Sequence, residues 1–505
     1  MNRYLDTILK YSYTLLSMAI FIICILGGFY VDYVYKLDVT KSNIYIFLLS
    51  TCAMIVIYKV IVIVNKIIRK SIEVNFKILI IFISISLLII QSIMLYFYYF
   101  RTGWDSYLIV EAAYLLSDNV KLQDWTNDYF SYYPNNIFIT ILFSKIIFLC
   151  KIIGVGDFSY IIILVFQSVI NVFTGFLVFN VIKKVTQNTN LSVFGYIFYV
   201  LLVGISPWVS IPYSDSTALF IPILILYLYT NLDTGKFKII KIVGLSFLGV
   251  LGYMIKPQTA ILFISIFLVS ILFIRLRYIK KTLKYLSIAL ISILISYFFI
   301  VIFMSNNNIT INRELEISYP HFVKMGLNNV TNGGYLSDDA GKSMSFKSTK
   351  ERKEENIEVI KERLSEYGID GLLKHQIKKT LVTYNDGTFA WSQEGNFYWE
   401  IKEEKSRIER FFRNIYYKSG SNHSIFKYIV QGAWLIILSI QPLTIFIKRK
   451  NMDNSMRVVL LSLIGLFIFE SIFEARARYL YTYVPIFIVS GMIGLNEFLN
   501  WMKKR

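Results

Sequence analysis

Apolar runs of roughly 18 to 22 residues recur along the chain, each closed by a short polar or basic stretch, and a helix of about 20 apolar residues covers about 30 Å of hydrocarbon. The runs lie near 10–31, 43–64, 78–98, 135–153, 158–182, 191–209, 216–231, 242–255, 258–274, 285–304, 426–447, 458–472 and 479–496. This pattern predicts an all-α polytopic membrane protein with about thirteen transmembrane helices. The first run has no small-residue cleavage site after it and reads as a retained span, not a removed leader.

The polar stretches between the runs differ in charge. Basic clusters stand at "NKIIRK" (65–70), "RLRYIKK" (275–281), "KRK" (448–450) and the terminal "MKKR", and such clusters stay on the cytoplasmic side. That assignment sends 99–134, 305–425 and the turn 473–478 to the outer side. Lys183 and Lys184 also belong inside, yet ordinary crossings after Asp105 do not put this pair inside and "PWVSIPYSDS" (207–216) outside. The run 135–153, which holds Lys145 and Lys151, is the candidate for a tilted or partial span, and the crossing count through 135–209 stays open.

Residues 305–425 change in character, with charges of both signs, "TNGG" and "SDDAGK" turns, and apolar positions at helical spacing in "IEVIKERLSEYGIDGLLKHQIKKTL". The chain therefore divides into an N-terminal transmembrane module (1–304) carrying a first outer loop (99–134), a helix-containing extracytoplasmic domain (305–425), and C-terminal transmembrane helices (426–505).

Composition agrees with the pattern. Of 505 residues, 56% are hydrophobic and 17% charged, against about 45–50% and about 25% in soluble domains. The net charge of +19 resides largely in the clusters between runs, so it reports topology and speaks against a nucleic-acid partner. Cys24, Cys52 and Cys150 sit in apolar runs without paired spacing, and His321, His375 and His423 are far apart in sequence. Neither a disulfide framework nor a metal or haem site is expected. Walker A, HExxH and GxSxG motifs are absent, as is any fixed-period repeat.

Chemistry is concentrated in a few stretches. "RTGWDSYLIVEAAYLL" (101–116) places Asp105 where a span meets water, followed by an amphipathic surface stretch and by "DWTNDYFSYYPNN" (124–136), in which Pro134 opens the next helix. "GYMIKPQTAILF" (252–263) puts Lys256 inside an apolar run, where a central cation costs about 2.5–3.5 kcal/mol on insertion scales. "EARARYLYTYVPIFI" (474–488) carries Arg476 and Arg478, and "SPWVSIPYSDSTALFIPILILYLY" (206–229) carries Asp215. Each has a structural alternative: Asp105 or Asp215 as a helix cap, Lys256 snorkelling, the arginines anchoring headgroups or pairing with Glu474, and Asp124 and Asp128 as solvated loop residues. Trp391, in "NDGTFAWSQEGNFYWE" (385–400), suits either a sugar ring or a membrane interface.

Taken together, these stretches resemble the GT-C glycosyltransferases, the superfamily of the protein O-mannosyltransferases and the lipid A aminoarabinose transferase. The resemblance rests on an Asp directly after an outward span, a juxtamembrane helix, an aromatic stretch ending in Tyr133-Pro134, and the "IKP" and "EARARY" elements. It implies inverting transfer of a sugar from a polyprenyl-phosphate (undecaprenyl-phosphate) carrier to an extracytoplasmic envelope polysaccharide, teichoic-acid-like polymer or glycolipid. Asp105 would be the general base, Lys256, Arg476 and Arg478 the donor-phosphate cations, and Asp124, Asp128, Tyr133, Asp215 and Trp391 the acceptor or sugar contacts. The sequence departs from the O-mannosyltransferases, which have an Asp-Glu pair in this loop: Ser106 follows Asp105 and the next acid is Glu111. That counts against a protein acceptor and offers no ready metal site, so no cofactor is expected, with divalent-metal dependence left open. Two extra spans precede the loop.

Two rival readings remain. A polysaccharide polymerase or ligase would rest on outer-loop arginines, and a lipid-linked sugar transporter or flippase predicts charges facing each other at mid-bilayer and internal symmetry. The richness in Ile, Lys, Asn and Tyr suggests a bacterial plasma membrane served by an A+T-rich genome.

Overall fold

The structure is a computed structural model and describes residues 2–30, 43–71, 76–232, 237–274, 278–305, 307–401, 403–448 and 451–505. Arg275 and Arg277 of one basic cluster, and Arg449 and Lys450 of another, lie outside the described residues. The described residues form helices and no strand; a lone antiparallel bridge joins Arg101 to Glu400.

The helices are α1 (Asn2–Tyr30), α2 (Asn43–Ser71), α3 (Phe76–Tyr98), α4 (Asp105–Ser117), α5 (Asp124–Tyr132), α6 (Ile137–Ile152), α7 (Ser159–Thr186), α8 (Thr189–Tyr199), α9 (Ser214–Thr217) and α10 (Phe220–Thr230). They continue as α11 (Lys238–Ile255), α12 (Ala260–Leu272), α13 (Ile279–Ser305), α14 (Tyr319–Gly326), α15 (Ser337–Ser345), α16 (Thr349–Tyr384), α17 (Arg407–Tyr416), α18 (His423–Ile440), α19 (Asn454–Ile472) and α20 (Val484–Met502). Among the described residues, ten helical stretches are long and apolar enough to cross a membrane, and three more, at Thr189–Gly204, Ser214–Thr230 and Pro257–Leu272, are apolar but shorter. All thirteen expected runs are thus helical, but the expectation of thirteen full-length spans is corrected to ten long helices and three short ones.

Contacts between helix ends show which ends lie together. At one end, Arg457 at the start of α19 binds Asp6 of α1 (2.7 and 3.0 Å) and covers the ring of Phe273 just past α12. Lys10 reaches the Ile445 carbonyl there (3.3 Å), and Asn65 of α2 bonds Asn190 of α8. At the opposite end, Asn43 bridges the Cys24 carbonyl of α1 and Asn385 after α16 (2.9 and 2.7 Å), and the Tyr160 hydroxyl at the start of α7 donates to the Phe100 carbonyl (2.9 Å). Lys183, Lys184 and the C-terminal Lys503–Arg505 fall at the first, basic end.

Helix α6 breaks the alternation and resolves the open crossing count. Its first turn packs at the far end of α13, where Phe138 meets Phe303 (5.9 Å between rings). Its last turn returns to the same place: Lys151 bonds Ser117 and Asp118 (2.8 and 2.6 Å), and the adjoining Asn119 carbonyl accepts from Asn308, just beyond α13. Both ends of α6 therefore lie at one end of the bundle, and α6 crosses over α13 instead of running beside it. The reason is in its sequence, since Lys145 at the centre of a crossing helix would cost about 2.5–3.5 kcal/mol, whereas here Lys145 is exposed and Lys151 is paired.

Two breaks build the other short helices. After α8 the helix widens into a π turn (Val200–Gly204) and the chain re-forms as separate turns at Pro207–Ser210 and α9, because Pro207 and Pro212 have no N–H to donate. Between α11 and α12, Pro257 drives Lys256 out of the helical region, to φ −156° and ψ 104°. Both breaks lie at the end opposite the basic clusters.

The segment 305–425, expected as a domain of its own, is fused to the bundle at its C-terminal part. Tyr384, Phe389, Trp391, Phe397 and Tyr416 belong to the same buried core as the spanning helices, and the Trp208 indole donates to the Thr388 and Phe389 carbonyls, both at 3.1 Å. The expected amphipathic stretch is α16, interrupted at Gly368 by a left-handed residue (φ 53°).

Candidate active site

Asp105 opens α4 directly after the chain leaves α3. Trp104, in an extended conformation, is the capping residue, and no side chain caps the helix; the helix-cap alternative for Asp105 is therefore not the arrangement found. The carboxylate lies in the first turn, where the helix dipole favours negative charge, and its Oδ2 accepts from the Tyr213 hydroxyl (3.2 Å). The Tyr129 hydroxyl, which accepts from the Asn136 amide (2.7 Å), lies within electrostatic reach. Burial raises the Asp105 carboxyl above the usual range, while Arg478 and the two tyrosine hydroxyls pull it back down.

The approach to Asp105 is held by a second loop. Arg101 and Gly103 donate backbone bonds to the Glu400 and Asn396 carbonyls (3.0 and 2.8 Å). A Cβ on Gly103 would stand 2.8 Å from the Asn396 Cβ, so this position requires glycine. The same loop contains Phe389, Ala390, Ser392 and Asn396 at φ between 46° and 60°, each non-glycine left-handed residue costing about 1–2 kcal/mol. Asp386 holds the turn by accepting from the Thr388 and Ala390 N–H groups, both at 2.8 Å.

The loop delivers Glu394 to the two arginines. Beyond α19 the chain is extended at Arg476 and then forms a 3-10 stretch, Ala477–Tyr483, so Arg476 and Arg478 emerge two residues apart and converge. Arg476 binds Glu394 with both prongs, Nε to Oε1 at 3.0 Å and Nη2 to Oε2 at 3.2 Å, and Nη2 also donates to the Gln393 carbonyl. Arg478 Nε stands 3.5 Å from the same Oε1. The Arg478 guanidinium lies over Trp104 (4.7 Å), Tyr213 (5.3 Å) and Tyr479 (5.4 Å), an arrangement worth about 2 kcal/mol where water is excluded. Its Nε and Nη1 are buried and make no hydrogen bond. Glu474 accepts from the Tyr479 hydroxyl (3.0 Å); burial raises its carboxyl, and Arg478, Tyr479 and Arg476 oppose the shift.

Lys256 and Asp215 meet at the helix breaks as a buried ion pair, with Lys256 also 5.4 Å from the Tyr479 ring centre. Asp215 caps nothing, as α9 has no side-chain cap, and the Lys256 ammonium turns inward to Asp215 instead of snorkelling to the interface. Asp105, Lys256, Asp215, Arg476 and Arg478 thus gather in one linked cluster. Tyr133, half-buried, lies within electrostatic reach of Asp105 and Glu474.

Three expected contacts stand apart. Asp124 and Asp128 are exposed on α5. Trp391 is 3% exposed, packs against Phe100, Trp208 and Phe397, and donates its indole N–H to the Tyr416 carbonyl (2.8 Å), which leaves no face for a sugar. Sequence reasoning missed Tyr129, Tyr213, Glu394, Glu474 as a site residue, and Tyr479. Glu394 lies in the aromatic stretch already singled out, and its being the lone acid between Asp386 and Glu400 was the available signal. No group of three His, Cys, Asp or Glu side chains converges among the described residues.

A family described as conserved hypothetical integral membrane protein matches residues 3–498, and the chain belongs to it. No curated protein and no solved structure matches the chain.

Proposed function

We propose that this integral membrane protein transfers a sugar from a polyprenyl-phosphate carrier to an acceptor hydroxyl of an envelope glycan or glycolipid, in a GT-C-like arrangement on the extracytoplasmic side of a bacterial plasma membrane. The observation that carries the reading is that Asp105 and Arg478 converge on Tyr213: its hydroxyl donates to the Asp105 carboxylate (3.2 Å), and its ring lies 5.3 Å from a buried guanidinium whose Nε and Nη1 make no hydrogen bond. Those two groups are what such a transfer needs. As the acceptor oxygen bonds to the anomeric carbon, its proton passes to Asp105, and the bond from that carbon to the phosphate oxygen breaks with inversion. Negative charge then grows on the departing lipid phosphate, where Arg478 can accept it in a partly dry setting.

The sidedness follows from charge. Lys183, Lys184 and the C-terminal cluster lie at the end of the bundle opposite Asp105, so the positive-inside rule assigns the site to the outer side. A headgroup-depth position also suits a donor whose phosphate cannot enter hydrocarbon.

A second reading, transport of a lipid-linked sugar, draws support from the Lys256–Asp215 pair at the broken ends of α9, α11 and α12, since discontinuous helices with paired charges line many transport sites. The polymerase or ligase reading draws on the arginines at the turn after α19. One experiment separates these. The purified full chain in nanodiscs, given a radiolabelled polyprenyl-phosphate sugar and an envelope glycan fraction, should label the glycan, and Asp105→Asn should abolish labelling. Vectorial movement of donor without transfer would support transport instead.

A further inference from the structure

The carboxylate of Glu394 sits where an anionic ligand of the two arginines would sit. It holds Arg476 through both oxygens and approaches Arg478 at 3.5 Å, while Arg478 retains two buried N–H groups without a hydrogen bond. A carboxylate and a phosphate present the same face to a guanidinium fork, two or more oxygens in one plane. Arg478 is held from behind by Trp104, Tyr213 and Tyr479, so its place does not depend on Glu394. Glu394, by contrast, rides on a loop with four left-handed non-glycine residues, Phe389, Ala390, Ser392 and Asn396. Its neighbours Gly395 and Asn396 are exposed, and the tip is tied to the segment before Asp105 through the Gly103 N–H bond to the Asn396 carbonyl (2.8 Å).

We infer that Glu394 is an internal stand-in for a phosphate group: a phosphate ester binds between Arg476 and Arg478 by displacing the Glu394 carboxylate, and the 392–396 tip of the loop moves as it leaves. The inference rests on reading Arg478 as the cation that faces the donor phosphate. It adds that the empty site is self-neutralised, which keeps two adjacent guanidinium groups from being buried without a counter-ion. Affinity for phosphate is therefore the difference between two anions competing for one seat, and a weak phosphate ligand is rejected.

The test uses the full chain in nanodiscs of zwitterionic, net-neutral phosphatidylcholine, with radiolabelled inorganic phosphate in one arm and radiolabelled polyprenyl phosphate in the other. Glu394→Gln keeps the side-chain shape and removes the charge, and binding should tighten roughly tenfold, as expected for removal of one competing charge at a partly buried pair. Tightening in both arms assigns the seat to phosphate in general; tightening with polyprenyl phosphate alone assigns it to the lipid headgroup. Arg478→Ala should abolish binding in either background. A second measurement needs no variant: in the unaltered chain, hydrogen exchange across 392–396 should quicken when polyprenyl phosphate is added. If Arg478→Ala abolishes binding while Glu394→Gln leaves it unchanged or weaker and the loop shows no faster exchange, Glu394 is a structural partner and the inference fails with the functional reading intact. Binding that ignores Arg478→Ala overturns the assignment of Arg478 and the inference with it.

Discussion

The Arg478 guanidinium lies 4.7 Å from the ring centre of Trp104, the residue immediately before Asp105. Two segments more than 370 positions apart in sequence are joined there, and the same guanidinium lies 5.3 Å from the ring of Tyr213, whose hydroxyl donates to Asp105. Nothing local in either segment requires the other.

The first consequence concerns Asp105 itself. Asp105→Asn should lower sugar transfer by about 10²–10⁴-fold, the usual contribution of a general base, while the chain still inserts and purifies as a folded protein. Transfer measured with a saturating lipid donor checks this, and an unaffected rate would remove Asp105 from the role.

The pH dependence follows from the environment of that carboxylate. Its folded proton affinity is raised by burial, and a base works only when deprotonated, so the acid limb of kcat/KM should lie above the ordinary Asp value of about 3.9. Arg478 lowers that affinity, so Arg478→Ala should move the limb to higher pH as well as slow the reaction. A limb that moves downward, or not at all, contradicts the coupling.

The Lys256–Asp215 pair makes a sharper distinction between structure and donor binding. Removing one partner alone, as Lys256→Met or Asp215→Leu, should destabilise by about 3–5 kcal/mol because a buried charge is left behind, and the double variant should recover most of that loss. Thermal unfolding of the solubilised chain reads the stability. If the double variant is stable and still uses the lipid donor normally, Lys256 is a structural partner of Asp215 and not a phosphate ligand.

Lys379 offers a stability test outside the site. It is 1% exposed, donates to the Gly326 and Ser471 carbonyls (2.9 and 3.0 Å), and burial lowers its pKa to about 7 against the pull of Glu470 and Glu474. Between about pH 7 and its ordinary value near 10.4 the unfolded chain holds this proton and the folded chain does not, so folding stability from this group rises with pH across that window. The difference in unfolding temperature between the parent and Lys379→Met should shift in the parent's favour from pH 7 to pH 9.5. A pH-independent difference would mean that Lys379 stays charged when folded.

The placement of α6 is open to direct labelling. In a chain lacking its own cysteines, Asn135→Cys and Ile153→Cys, both at exposed positions, should react with an impermeant maleimide from the same side of a sealed vesicle as Gly395→Cys. Reaction from opposite sides would restore α6 as a crossing helix.

The apolar runs made the helices legible because a run of about 20 apolar residues has few other ways to satisfy its backbone in lipid, and Lys256-Pro257 announced its own break through the steric limit on the residue before proline. Asp105, Arg476 and Arg478 were legible as candidates because each stands next to an apolar run on the side away from the basic clusters. The lone acid of "AWSQEGNFY" was not, since its partners are 82 and 84 positions away and a solvated loop glutamate looks the same in sequence. The run 135–153 was legible as a tilted or partial span from its lysines, but its direction was not: that is decided by where Phe138 and Lys151 find partners, near one end of α13. Local chemistry along the chain thus determined the helices, their breaks and the charged candidates. Only the tertiary structure decided which charges neutralise one another, because ion pairing depends on distance in space, and packing of helices far apart in sequence sets that distance.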